Sequence, residues 1–203
     1  MRCLIATTFL LLVSKVFSGS LLGHIRLTDD NGLRQNPQII TIGFRSLTAE
    51  VSKSGQSEVH KWFINQTFEP HILVIEPSDI VEFHQQGKPI KDLIILGRSY
   101  AYRTGNRKRV TSLDFSQEGY YQIEEHSAPG VVGRLYVDQN DFVVRPDRRG
   151  LLKLEDIPHG LYSISIYNNL HEVPLKLEVT ILEKETTALR INLNHKILRR
   201  EGS

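Results

Sequence analysis

The sequence predicts an all-β fold, a β-sandwich with small β segments at both ends, and three observations carry that expectation. Short runs rich in Val, Ile, Thr and aromatic residues recur at spacings of roughly 8–15 residues, the rhythm of a sandwich. Clusters of Gly, Pro, Asn, Asp and Ser punctuate them. No stretch carries the sustained apolar period of a long amphipathic helix, which argues against a βαβ arrangement.

Residues 1–18 read as a secretory signal. Arg2 supplies the positive start, Leu4 to Val13 a mostly apolar run, and Val16-Phe17-Ser18 a peptidase-like end, with cleavage expected after Ser18. The apolar run is interrupted by Lys15 and falls short of the ~18 residues that a membrane span requires, so no transmembrane segment is expected in the mature chain. Cys3, the single cysteine, leaves with the signal, and the mature chain must be stabilised by packing in a compartment that would permit disulfides. Lys and Arg number 25 against 23 Asp and Glu over the full chain, and the signal takes two of the cations with it. A mature charge near zero points to neither nucleic acid nor anionic membranes.

Three β-rich blocks follow: an N-terminal segment over 19–58, a central sandwich over 59–139, a third segment over 140–195, and then a basic tail over 196–203. In the first, Leu21 to Thr28, the turn Asp29-Asp-Asn-Gly32 and Gln38 to Phe44 read as strand, turn and strand, hence a hairpin or short module, and Ser52 to Ser57 as a loop. The second opens near His60 and continues through Thr67 to Glu76, the turn Pro77-Ser-Asp79, Ile80 to Phe83, Asp92 to Leu96 and Arg109 to Phe115. Two more strands are expected around His126 between Gly119 and Val137. The third places turns at Asp147 to Gly150 and Pro158 to Gly160, with strands over Leu151 to Ile157, Leu161 to Tyr167, Val173 to Leu182 and Thr187 to Leu193. Leu175, Leu177, Val179 and Ile181 are expected on one face.

The stretch Gln66 to Phe83 resembles the start of plastocyanin-like cupredoxin domains, with Ser78-Asp79 holding the place of a Gly-Asp turn. Gly23 to Gly32 resembles the "G-x-V-x-D-x-x-G" opening, and Arg149 to Tyr162 the carboxypeptidase-regulatory-like close, of bacterial periplasmic proteins labelled methylamine utilisation or cupredoxin-like. The order of the three parts covers nearly the whole mature chain. It implies a cupredoxin-like core between carboxypeptidase-regulatory-like β segments, in an exported periplasmic protein.

The family's copper site is not matched. Its first histidine falls near Lys91, and its closing "C-x-x-H-x-x-M" aligns with Ile123-Glu-Glu-His126-Ser-Ala-Pro129, so Ile123 and Pro129 stand where two sulfurs would be. A type 1 site needs a thiolate between imidazoles, which leaves His126 as a relic. The expectation is a chain with no catalytic, cofactor-binding or metal residues, serving as a binding or scaffolding component with a protein partner in the periplasm or envelope. The alternative is a metal-binding or redox accessory protein with a non-blue site at His126, drawing on His60, His71, His84, Glu124 or Glu125. No close histidine pairing supports it.

A hydrolase reading lacks both a triad and a Gly-x-Ser-x-Gly elbow, and adjacent carboxylates on a strand face opposite ways. Arg98 to Arg109 is a basic, tyrosine-containing loop suited to an acidic partner, or simply solvated. Asn65-Gln-Thr67 matches a glycosylation acceptor by chance. Trp62 beside Phe63, and Tyr120 beside Tyr121, are expected to place one ring of each pair inside. A carbohydrate-binding reading rests only on the sandwich and its tyrosines, by analogy.

Overall fold

The computed structural model describes residues 18–29, 31–48, 57–85, 93–97, 100–103, 110–126, 130–169 and 172–194. Lys91, Pro129, most of the Arg98–Arg109 stretch, the Ser52 to Gln56 part of the first loop, nearly all of the signal and the basic tail lie outside them. The fold is all-β: among the described residues the one helical piece is a single 3-10 turn at Pro37–Ile39.

Two sheets form the first sandwich from both ends of the chain. In one, β1 (Ser18–Thr28) runs between β13 (Leu151–Pro158), antiparallel to it, and β16 (Thr186–Asn194), parallel to it. The other runs in the order β12 (Phe142–Val144), β2 (Thr41–Ser46), β14 (Gly160–Tyr167) and β15 (Leu175–Ile181). Alternation decides the facing: Leu21, Ile25 and Leu27 of β1 meet Ile42 and Phe44 of β2 and Tyr162, Ile164 and Ile166 of β14 in a single core. Leu175, Leu177 and Val179 of β15 pack against it and Ile181 is buried within it, the one-faced pattern expected from their spacing.

The hairpin expected in the first block is not formed. Asp29 does close a turn, its Oδ1 accepting from the Asn31 and Leu33 backbone N–H groups at 2.9 and 2.8 Å, but the returning chain makes only an isolated bridge from Arg34 to Thr28. It then crosses to the opposite sheet. The reason is packing: Ile25 and Leu27 share an interior with Ile40, Ile42 and Phe44, which two strands paired in one sheet cannot enclose between them.

The second sandwich is made from the chain between these pieces. Its four-stranded sheet runs β4 (Phe68–Glu69), β3 (Val59–Ile64), β6 (Asp79–Gln85) and β9 (Val110–Phe115). Its five-stranded sheet runs β5 (Ile72–Ile75), β11 (Val132–Val137), β10 (Gly119–Glu125), β7 (Leu93–Gly97) and β8 (Tyr100–Arg103). The expected run from Thr67 to Glu76 divides at Pro70, its halves entering opposite sheets. Trp62, Phe68, Phe83, Ile95, Ile123 and Leu135 fill the interior, and the Trp62 indole N–H donates to the Pro70 carbonyl at 2.6 Å. Trp62 is buried while its neighbour Phe63 points out, and Tyr121 is buried while Tyr120 lies on the opposite face, as alternation requires.

A third, small cluster joins the two sandwiches. Ile72, Val74 and Tyr136, on the outer face of the five-stranded sheet, pack against Tyr167 at the end of β14. Polar contacts fix the joint: the Tyr136 hydroxyl donates to the Asn168 carbonyl at 3.0 Å, Tyr167 to Asp138 Oδ2 at 2.8 Å, and Asn140 Nδ2 to the Tyr167 hydroxyl at 3.0 Å. Arg145 donates from Nε to Thr41 Oγ1 and from an Nη to the Ile72 carbonyl. Gly43 on β2 leaves room for the Asn140 side chain, which a Cβ there would strike.

Candidate functional site

His126 sits exposed in the turn that ends β10, while Ile123, three residues earlier on that strand, is fully buried among the core side chains. The other histidines considered as ligands, His60, His84 and His71, have local partners or open surroundings. His60 Nε2 lies 2.8 Å from Asp79 Oδ2, and the same carboxylate accepts from the Glu58 and Glu76 backbone N–H groups, which ties β3 to the turn before β6. His84 Nε2 lies 2.9 Å from Glu82 Oε2, with its ring beside Phe63; His71 is exposed between β4 and β5. Among the described residues no three His, Cys, Asp or Glu side chains converge as a metal could require. Glu124 and Glu125 leave β10 on opposite faces, and the Glu124 carboxylate is taken up by the Gln122 amide.

Among the described residues, an arrangement with room for a ligand lies where the two sandwiches meet. A cleft of about 480 Å³ opens between the outer face of β10 and β7 on one side and the segment Glu172 to Lys176, leading into β15, on the other. Strand alternation builds its floor: Tyr121 and Ile123 face the core, so Tyr120 and Gln122 face out, level with Leu96 on β7 and Tyr136 on β11. Three tyrosine rings meet in series from the cleft into the joint, each tilted 51° to the next, with centroids 5.2 Å apart for Tyr120 and Tyr136 and 4.8 Å for Tyr136 and Tyr167. Only Tyr120 is half-buried; Tyr136 and Tyr167 are enclosed.

These hydroxyls are held neutral. Burial pushes the Tyr120 phenol above its ordinary range; the Arg134 guanidinium beside it pulls the other way, and Glu172 adds to the rise. Burial likewise raises Tyr136, and it raises Tyr167 with help from Asp138. Around the rings stand Glu118 and Glu172, both exposed, with Lys176 and the apolar Leu96, Val173 and Pro174. The mixture offers hydrogen-bond acceptors, a cationic donor and the ring of Tyr120.

Sequence reasoning located the strands of this cleft without the cleft itself. The Tyr120-Tyr121 pair was the signal: alternation alone sends one tyrosine outward, but what it meets comes from more than fifty residues further along the chain.

No protein-family model matches the chain, and no curated protein matches it in sequence. Among solved structures, the pseudoazurin of Methylobacterium extorquens AM1 is similar over 41% of this chain and 79% of its own, at 15% identity and a TM-score of 0.35. A pseudoazurin from Hyphomicrobium denitrificans is similar over 40% and 77%, at 18% identity and a TM-score of 0.33. A mutant amicyanin in its reduced Cu(I) form is similar over 47% of this chain and 99% of its own, at 17% identity and a TM-score of 0.35.

Proposed function

We propose that this chain is a non-enzymatic, exported, cupredoxin-like protein that has lost type 1 copper and serves as a binding or scaffolding component of a periplasmic or envelope system. The observation that carries the proposal is Ile123. Its position is where the resemblance puts the thiolate, and it is a fully buried aliphatic side chain packed within the sandwich core. A hydrocarbon there leaves cupric ion without its strongest ligand, and His126 alone, exposed in a turn, supplies a single imidazole. Residues 1–18 act as the export signal in this reading, and the central block 59–139 is the degenerate cupredoxin.

The test is metal content. Purified protein incubated with cupric or zinc ion and then desalted is expected to retain less than one equivalent and to show no thiolate-to-copper absorption. One equivalent of tightly held metal, lost on His126→Ala, would overturn the reading in favour of a non-blue site.

A further inference from the structure

We propose that the cleft between the two sandwiches is a binding site for a neutral carbohydrate, with Tyr120 as the stacking platform. The site is assembled from both sandwiches: Tyr120, Gln122 and Leu96 come from one, Glu172, Val173 and Lys176 from the other. At about 480 Å³ it has the size of a small-ligand site, and a junction between two folded bodies is a usual place for one.

The chemistry selects the ligand class. Tyr136 and Tyr167, 2% and 0% exposed, spend their hydroxyls on Asn168 and Asp138, so Tyr120 alone offers its ring to the cleft, and one ring is not a cage around a cation. The lining sets Glu118, Asp138 and Glu172 against Lys176, which opposes an anionic ligand, while a cation would find only one accessible ring and an ammonium in the same wall. A sugar ring meets both constraints. Its C–H face lies flat against an aromatic ring, and each of its hydroxyls both donates and accepts, matching carboxylates and an ammonium in the same wall. The Tyr120 hydroxyl donates to Gln122 Oε1 at 3.2 Å, which holds the ring in place and leaves its face as the part offered. Leu96 and Val173, 38% and 69% exposed, form the apolar rim over which a longer chain could continue.

The inference rests on the reading of the chain as an exported binding protein and names the ligand class of that function. It is tested by calorimetric titration of the purified protein with maltotriose, cellotriose and N,N′,N″-triacetylchitotriose, beside choline and glucose 6-phosphate as cationic and anionic probes. Saturable binding of at least one neutral trisaccharide is expected, about tenfold or more weaker in Tyr120→Ala and within about threefold in Tyr120→Phe, which keeps the ring. Val173→Arg, at an exposed rim position outside both cores, is expected to weaken binding similarly and covers the case in which Tyr120→Ala fails to fold. No neutral trisaccharide bound, binding unchanged in Tyr120→Ala and Val173→Arg, or binding of choline or glucose 6-phosphate alone would each overturn the proposal. Those outcomes with metal-free protein leave the copper-less binding function standing; tightly held metal would remove that function and leave the titration unaffected.

Discussion

Ser78 occupies a left-handed backbone, φ 74°, in the turn that leads into β6. For an L-residue with a Cβ this region costs roughly 1 kcal/mol, and glycine enters it freely. The turn is nevertheless held: the Ser78 N–H donates to the Phe115 carbonyl at 2.7 Å, and the neighbouring Asp79 carboxylate gathers two backbone N–H groups and His60. Those bonds use the backbone of Ser78 and the side chain of Asp79, and the Ser78 side chain itself is exposed. Ser78→Gly is therefore expected to stabilise the protein by up to about 0.5 kcal/mol in urea unfolding, relief of the strained φ outweighing the added freedom of the unfolded chain. Loss of stability would show that the serine is not strained there.

At the scale of the element, β14 carries two buried phenols, Tyr162 and Tyr167, and β11 carries Tyr136. Each donates a hydrogen bond that a phenolate cannot make: Tyr162 to the Pro158 carbonyl at 2.8 Å, Tyr167 to Asp138 and Tyr136 to Asn168. Burial pushes Tyr162 up to about 12, with the nearby Asp141 charge adding to the rise, and it raises the other two as well. A folded-state value above the unfolded value of 10.0 means that folding favours the neutral phenol. The stabilisation is fully present below about pH 10 and is lost as pH climbs towards 12. Urea midpoints are expected to fall steadily between about pH 9.5 and 11.5, and less steeply in Tyr162→Phe. A flat profile, or one that this variant does not change, would contradict that assignment.

The same strands show what the sequence could and could not disclose. Period-2 alternation identified β14 and β15, and the face that β15 turns to the core, because that information lies within a few consecutive residues. Pairing partners do not. β1 finds β16 in parallel register, Leu21 opposite Thr187 and Leu27 opposite Leu193, across most of the chain's length, and nothing in either run specifies the other. The turn residues after β1 announced a reversal correctly, yet a turn fixes direction only, and burial on both sides of one core sent β2 to the facing sheet. For the same reason the strands around Tyr120 were readable, being contiguous, whereas the cleft was not, since Tyr120 and Glu172 become neighbours only when the two sandwiches dock.

For the whole molecule, the decisive fact is that one sandwich is interrupted by the other. Strands β1 and β2 precede the central body and β12 to β16 follow it, so the outer core of Ile25, Phe44, Tyr162 and Ile191 closes only when both ends of the chain are present. The central body has both of its sheets and its own core between residues 57 and 140. Separated, it would expose Ile72, Val74 and Tyr136, now 2–5% accessible, and lose the Arg145 and Asn168 contacts at the joint. An isolated 57–140 fragment is therefore expected to give a cooperative β-type unfolding transition by circular dichroism, weaker than that of the full chain by about 2–5 kcal/mol as those three side chains return to water. A fragment without a cooperative transition would mean that the outer sandwich is needed for the inner one to form. A fragment as stable as the full chain would mean that the tyrosine joint contributes nothing, and that the cleft it supports is a hinge between independent bodies.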